Sequence, residues 1–218
     1  SNWKFNFNSS FQHFNRTSKG TERVQPAADG TWNRPLGQNK NVEKIVSNQA
    51  SLQVNFNTGK VKHQFFTGLD FENAYTDAYT FVFSPATYGT GNVFDFENFD
   101  QGGAIPDARN SKIVKTDTKR FGVYAQDLIS ITDKIKVLAG LRWSWQEAQA
   151  DTYDYPTTGG EVLTEGAKRK DQAFTPKAGL VYQPVTSVSL FASYANSFTP
   201  NTGITVNGDD LEVSIIDQ

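Results

Sequence analysis

The sequence contains no cysteine, and this absence excludes a disulfide framework and every metal site built on thiolate ligands. It also lacks any run of about 18 or more apolar residues, which excludes a transmembrane helix. Its net charge is −2, from 21 basic and 23 acidic residues, so the positive excess typical of a nucleic-acid-binding protein is missing. The two histidines, His13 and His63, are isolated in the sequence and form no recognisable zinc or catalytic cluster.

The sequence does contain a clear alternation of apolar and polar residues with a period of two, which predicts β-strands with two different faces. The pattern is clearest at residues 134–146, where every odd position from Ile135 to Trp145 is apolar. The even positions there are mostly polar or small and include Lys136, Arg142 and Gln146. The same alternation predicts six more strands, at residues 3–8, 49–56, 61–71, 120–126, 174–183 and 189–194.

The connections between these seven strands alternate strictly between short turns and long loops. Short turns are predicted at residues 57–60, 132–134 and 183–187. Long loops are predicted at residues 15–41, 76–115 and 150–168, and from residue 199 to the end of the chain. Outer-membrane β-barrels have this arrangement, with short turns on the periplasmic side and long loops outside the cell.

Composition agrees with a membrane barrel. The mean hydropathy of −0.52 is low, but strands that alternate lipid-facing and lumen-facing side chains keep the average low. The 17 Phe, 8 Tyr and 4 Trp residues need a large core or a membrane to cover them. We therefore predict an all-β fold, an antiparallel transmembrane β-barrel. Because seven strands is an odd number and an open edge is costly in lipid, residues 1–218 are expected to be one partial barrel domain, cut from a longer protein at both ends.

Several segments resemble TonB-dependent siderophore receptors, and the ferrichrome-type receptors in particular. They are FTPKAGLVYQP at residues 174–184, LFASYANSFTP at 190–200, GVYAQD at 122–127 and the segment from Gly59 to Asp70. Two features of the family are missing from the sequence. These are the N-terminal plug with its TonB-contacting segment and the final strand that ends in an aromatic residue.

The resemblance implies that the complete protein is a monomeric 22-stranded barrel in the bacterial outer membrane, surrounded by lipid, with a plug in its lumen. It implies uptake of a ferric siderophore, driven by the TonB complex through the missing plug. The iron arrives already chelated, so no cofactor or protein metal site is expected. A Gly-x-Ser-x-Gly motif and a phosphate-binding glycine loop are both absent, and the protein is expected not to be an enzyme.

Aromatic side chains in the predicted long loops are the candidate ligand-binding residues, because aromatic rings suit a chelate with mixed apolar and polar surface. They are Trp32, Tyr79, Phe81, Phe83, Tyr88, Phe94 and Phe96. The alternative for each is packing within its own loop, or a place in the aromatic girdle at the membrane interface. Trp143 and Trp145 are predicted to anchor that interface. Arg142 is predicted to face the lumen, where it either pairs with a carboxylate of the plug or is hydrated.

Three other functions remain open at this point. A receptor of the same architecture for another cargo, such as a saccharide or cobalamin, has much the same pattern. A non-transport outer-membrane barrel, such as a protease or lipase, needs a Ser/His or Asp/His set at one rim that the sequence does not display. A soluble all-β binding module gives no reason for every long loop to lie at one end.

Overall fold

The computed structural model describes residues 2–21, 24–95, 97, 103–201, 203, 205–207, 211 and 213–217. These residues form ten β-strands and no α-helix. The strands are β1 Asn2–Thr21, β2 Thr31–Thr58, β3 Val61–Phe83, β4 Thr87–Asn92, β5 Ala108–Ser130, β6 Ile135–Asp154, β7 Val162–Thr164, β8 Arg169–Val185, β9 Val188–Thr199 and β10 Ser214–Asp217. No helix in this part of the chain is long and apolar enough to cross a membrane.

The strands form one antiparallel sheet, in which all but two short strands follow one another in chain order. The order is β1-β2-β3-β5-β6-β8-β9-β10, with β4 paired to the start of β2 and β7 paired to the end of β6. The seven predicted strands are all present, as β1, β2, β3, β5, β6, β8 and β9. An all-antiparallel meander of this kind is the wall of an up-and-down barrel, and the predicted fold class is confirmed.

The predicted lengths of the long loops were wrong. β2 begins at Thr31, inside the predicted loop at residues 15–41, and β3 continues to Phe83, inside the predicted loop at 76–115. β6 likewise continues to Asp154, and the last predicted loop contains the short strand β10. Alternation is visible in a sequence only where the two faces meet different surroundings. Backbone pairing continues beyond that zone, where apolar and polar side chains no longer alternate strictly between the two faces.

The short turns lie where the sequence predicted them. Gly59, between β2 and β3, has a positive φ of 63°, a conformation that glycine adopts without strain. Between β5 and β6 the amide of Ile131 donates to the carbonyl of Ile135, which closes the second turn. The third turn is narrower than predicted, because β8 continues to Val185 and β9 begins at Val188. All three turns therefore lie at one end of the sheet.

The cross-strand register aligns the apolar positions of neighbouring strands on one face. Trp143 of β6 lies opposite Val123 of β5 on one side and Phe174 of β8 on the other. These side chains are not covered by protein, since Leu141 and Phe174 are 50% and 62% exposed. No second sheet formed by the described residues covers these side chains, as it would in a soluble sandwich. We call this surface the outer face, and the opposite, polar surface the inner face.

The outer face is apolar only over part of the strand length. In β6 it runs from Ile135 to Trp145 and changes to Glu147 at the next outward position. That apolar part matches the 9–11 residues with which a tilted strand crosses a bilayer. Beyond it, Glu147 pairs with Lys168 and Lys170 at 3.6 and 3.5 Å. The strands therefore extend past the membrane on the side of the long connections.

Candidate functional site

Two charged side chains meet across three strands in the centre of the inner face. The Arg142 guanidinium on β6 donates through Nη1 and Nη2 to the two carboxylate oxygens of Asp70 on β3, at 2.7 and 2.8 Å. The strand between them, β5, places Gly122 directly beside Asp70 in the register. A Cβ atom at Gly122 would overlap the guanidinium, so the absence of a side chain there opens the path from Arg142 to Asp70.

A second side chain crosses the neighbouring strand in the same way. Tyr124 of β5 lies over Gly68 of β3, and its hydroxyl oxygen accepts a hydrogen bond from Nε2 of Gln49 on β2 at 3.3 Å. A Cβ at Gly68 would lie 2.5 Å from that hydroxyl oxygen. The Arg142 guanidinium lies 5.8 Å from the Tyr124 ring centre, so the two crossings are in contact. We call Gln49, Tyr124, Arg142 and Asp70 the inner-wall bridge.

A further set of polar side chains lies beside the bridge, toward the long connections. Arg120 of β5 forms an ion pair with Glu72 of β3, and its Nε donates to Oε1 of Gln146 at 2.9 Å. Ser47 of β2 donates to the other Glu72 oxygen at 3.3 Å. Both arginines therefore have carboxylate partners within the wall. The chemistry of this surface is that of a hydrogen-bonding lining with balanced charge.

The inner face is concave at this point. A hollow of about 470 Å³ lies against Asp70, Arg120, Arg142, Thr175 and Asn196. Its size is within the range of small-molecule sites, which run from about 300 to 1,000 Å³. The hollow is open, and in a closed barrel it faces the lumen. The sheet therefore offers polar groups to whatever occupies the lumen.

Arg142 faces inward, as the sequence predicted, but its partner differs from the predicted ones. It pairs with Asp70 of the same wall, and its Nε also donates to Ser144 at 2.8 Å. The sequence did place Gly68, Asp70, Gly122 and Arg142 on one polar face. The sequence did not predict that Arg142 pairs with Asp70. Glycines at inward positions of neighbouring strands are the signal for such crossings, because a glycine inside a strand often marks a close approach.

The candidate ligand-binding aromatics lie mostly in strands and not in loops. Trp32 is in β2, the residues Tyr79, Phe81 and Phe83 are in β3, Tyr88 is in β4, and only Phe94 is in a connection. Phe96 lies outside the described residues. Their predicted position in loops was wrong for these five, because the strands continue so far beyond the membrane.

The positions of the Tyr79, Phe81 and Phe83 rings also bear on the prediction that these rings contact a ligand. Tyr79 is an even number of residues from Phe71 in an uninterrupted register, so it lies on the outer face. Its ring stacks on Phe81 with the ring centres 6.5 Å apart, and the Lys40 ammonium lies 5.0 Å from the Tyr79 ring centre. Phe83 is one of the few buried apolar residues, at 8% exposure. These three rings pack within the wall, and their contact with a ligand stays a prediction.

The other candidates lie around the small sheet of β2 and β4. Arg34 lies over the Tyr88 ring at 5.1 Å, and the Tyr88 hydroxyl donates to the carbonyl of Gly103 at 2.7 Å. Trp32 is on the same strand as Arg34 and is half-buried. Phe94 is 78% exposed and is the most open to a ligand among the candidate rings that the structure describes. Ligand contact at these positions also stays a prediction.

The bidentate pair across Gly122 gives a direct prediction for stability. In the full-length receptor, Arg142→Ala and Asp70→Ala are each expected to lower the free energy of unfolding. The double variant is expected to lose less than the sum, with a coupling energy of about 1 kcal/mol, since the pair is bidentate but about one-third exposed. Denaturant unfolding of the four proteins in phospholipid vesicles measures this coupling. Strictly additive losses contradict it.

A curved antiparallel wall with a lipid-facing outer side and a polar, hydrogen-bonded inner side defines part of an outer-membrane β-barrel. Comparison with known proteins leads to the same class. Residues 1–213 match the family described as TonB dependent receptor-like, beta-barrel. The chain belongs to this family of bacterial outer-membrane barrels. The predicted family and location are thereby confirmed.

Relatives with established names cover most of the chain. The metal-pseudopaline receptor CntO of Pseudomonas aeruginosa is 26% identical over 211 residues, which cover 94% of this chain and 29% of that protein. The ferrichrome outer membrane transporter/phage receptor of Escherichia coli K12 is 28% identical over 160 residues, which cover 72% of this chain and 20% of the transporter. The chain therefore spans less than a third of the length of these relatives.

Solved structures agree on the fold. The closed form of the ferric-catecholate import receptor Fiu from Escherichia coli K12 matches 97% of this chain and 34% of the Fiu chain, with a TM-score of 0.72 and 21% identity. The ferripyoverdine receptor of Pseudomonas aeruginosa matches 97% of this chain and 26% of that chain, with a TM-score of 0.69 and 18% identity. At these identities the likeness establishes the architecture of the wall.

Proposed function

We propose that this chain forms part of the wall of a plugged, monomeric, 22-stranded receptor that takes up ferric siderophores across the outer membrane. The observation that carries the proposal is the family match over residues 1–213, on a sheet whose two faces suit lipid and lumen. The named relatives are receptors and transporters, for metal-pseudopaline, catecholate siderophores and ferrichrome. Support for a transport role comes from these names, and none of them is an enzyme.

The chemistry assigned to the protein under this proposal is binding and gating. The iron enters as a chelate, so the receptor supplies hydrogen bonds and apolar contact and no metal ligands. The hydrogen-bonding lining around Arg120, Glu72 and Gln146 supports this role. It offers donors and acceptors to the lumen near the membrane interface on the side of the long connections. The TonB complex acts on a plug that contacts this inner wall.

Deletion of the full-length gene tests the proposal. In an iron-starved strain, deletion is expected to abolish uptake of ⁵⁵Fe delivered by at least one siderophore of a panel that includes ferrichrome, a catecholate and a pyoverdine. A plasmid copy is expected to restore uptake in a strain with TonB and not in a strain without TonB. Labelled cobalamin and maltodextrin are measured in parallel, and their loss in place of iron uptake assigns the receptor to another cargo. Unchanged uptake of every compound contradicts the proposal.

A further inference from the structure

The outer face contains one charged pair within its apolar zone. His63 of β3 shares this face with Phe65 and Leu69, and Asp127 of β5 shares it with Val123. Between the short turns and the level of Trp145, the described outward positions contain no other Asp, Glu, Lys, Arg or His. Ionisable side chains at membrane depth are costly and commonly mark a function. The position of this pair therefore requires a physical reason.

The two side chains are held tightly together. Nδ1 of His63 lies 2.6 Å from Oδ2 of Asp127, and the side chains are only 16% and 20% exposed. The imidazole ring also stacks on Phe56 of β2, with ring centres 4.6 Å apart and planes 4° from parallel. The orientation of the ring and the partner of Nδ1 are thus fixed, and Nε2 is the ring nitrogen left for a further partner.

The surroundings of the pair carry positive charge. His63 lies two residues from the start of β3, next to the turn that contains Lys60. The adjacent turn between β5 and β6 contains Asp133 and Lys134, and Lys62 lies 3.8 Å from Asp133. Lys60 and Lys134 form no ion pair with any described residue. The rim next to His63 therefore has cations left over for an anion at the membrane interface.

We propose that His63, oriented by Asp127, binds the phosphate of a glycerophospholipid in the leaflet on the short-turn side of the membrane. In this contact both ring nitrogens carry a proton, with Nδ1–H donating to Asp127 and Nε2–H donating to a phosphate oxygen, and the Lys60 ammonium adds charge attraction at the rim. Phe56, which is 40% exposed, and the partly exposed Phe65 lie against the acyl chains of the same lipid. A neutral lipid such as diacylglycerol offers only uncharged ester and hydroxyl oxygens, and a protein partner gives no reason for a paired charge at this depth. The proposal needs only a barrel in a bilayer and does not depend on the cargo.

Native mass spectrometry of the purified full-length receptor tests the proposal. The receptor is delipidated and titrated with phosphatidylglycerol, with phosphatidylethanolamine and with diacylglycerol of the same acyl length. Wild type is expected to keep one tightly held molecule of either phospholipid and none of diacylglycerol. The His63→Gln variant is expected to bind that phospholipid roughly tenfold more weakly, the effect of losing a hydrogen bond to a charged group. His63→Lys keeps a cation and is expected to retain binding.

The chain offers a matched control in its other histidine. His13 of β1 lies on the same face, beyond the apolar zone, and His13→Gln is expected to leave phospholipid binding unchanged. The shift in gel mobility between heated and unheated samples shows that each variant is folded. Equal phospholipid binding by folded His63→Gln and wild type overturns the proposal. Equal binding of diacylglycerol, or loss of binding in folded His63→Lys, overturns it as well.

Discussion

Replacing Gly122 with valine is expected to lower the free energy of unfolding of the full-length receptor by about 3 kcal/mol. A side chain at this position overlaps the Arg142 guanidinium, which lies directly over Gly122 on its way to Asp70. The arginine then has to leave its carboxylate partner, or β5 has to move away from β3 and β6. Either change breaks the bidentate pair and leaves Asp70 without its main partner. Guanidinium unfolding of the receptor in phospholipid vesicles, followed by tryptophan fluorescence, measures the loss.

A glycine in the same sheet provides the control. Gly20 of β1 has nothing near the position of a Cβ atom, so Gly20→Val is expected to be close to neutral. The double variant Gly122→Val, Arg142→Ala removes the overlap and is expected to be less destabilised than the sum of its two single variants. If Gly122→Val is as stable as Gly20→Val, the crossing of Arg142 over Gly122 does not exist in the protein.

The sequence predicted those parts of the fold that depend on contrast between two surroundings. In the segment from Ile135 to Trp145, lipid on one side and lumen on the other enforce alternation. The start of this strand was predicted to within one residue, whereas its continuation to Asp154 was not predicted. The same segment also predicted correctly that Arg142 faces inward. Short turns were predictable because a tight reversal requires particular residues, as at Gly59.

The parts that the sequence did not predict depend on register. Tyr79 was assigned to a loop because no alternation surrounds it, yet backbone pairing with Ile113 of β5 keeps it in a strand. The bond between Arg142 and Asp70 joins residues 72 positions apart, and it exists only because β3, β5 and β6 align Asp70, Gly122 and Ser144 in one row. Periodicity gives the face of a residue, but it does not give the residue opposite.

The outer face carries the second large prediction, which concerns Leu141. This residue is at the centre of the apolar part of β6 and is 50% exposed in the isolated wall, so in a membrane its side chain contacts acyl chains. Leu141→Arg is expected to lower the free energy of unfolding in vesicles by about 2–4 kcal/mol, the cost of an arginine at the bilayer midplane of a β-barrel. The cost arises because the guanidinium loses its hydration or forces water into the lipid.

Leu138→Arg is the matched control, because it makes the same substitution three residues away on the inner face. Leu138 lies opposite Leu128 of β5 and Gly179 of β8, and the small Gly179 leaves room for a longer side chain toward the lumen. An arginine there meets water or polar groups, so a loss of less than about 1 kcal/mol is expected, as for a surface substitution. The difference between the two variants measures the contrast between the faces directly. Equal losses at both positions are incompatible with lipid on the Leu141 side, and with that result the assignment of the outer face is lost.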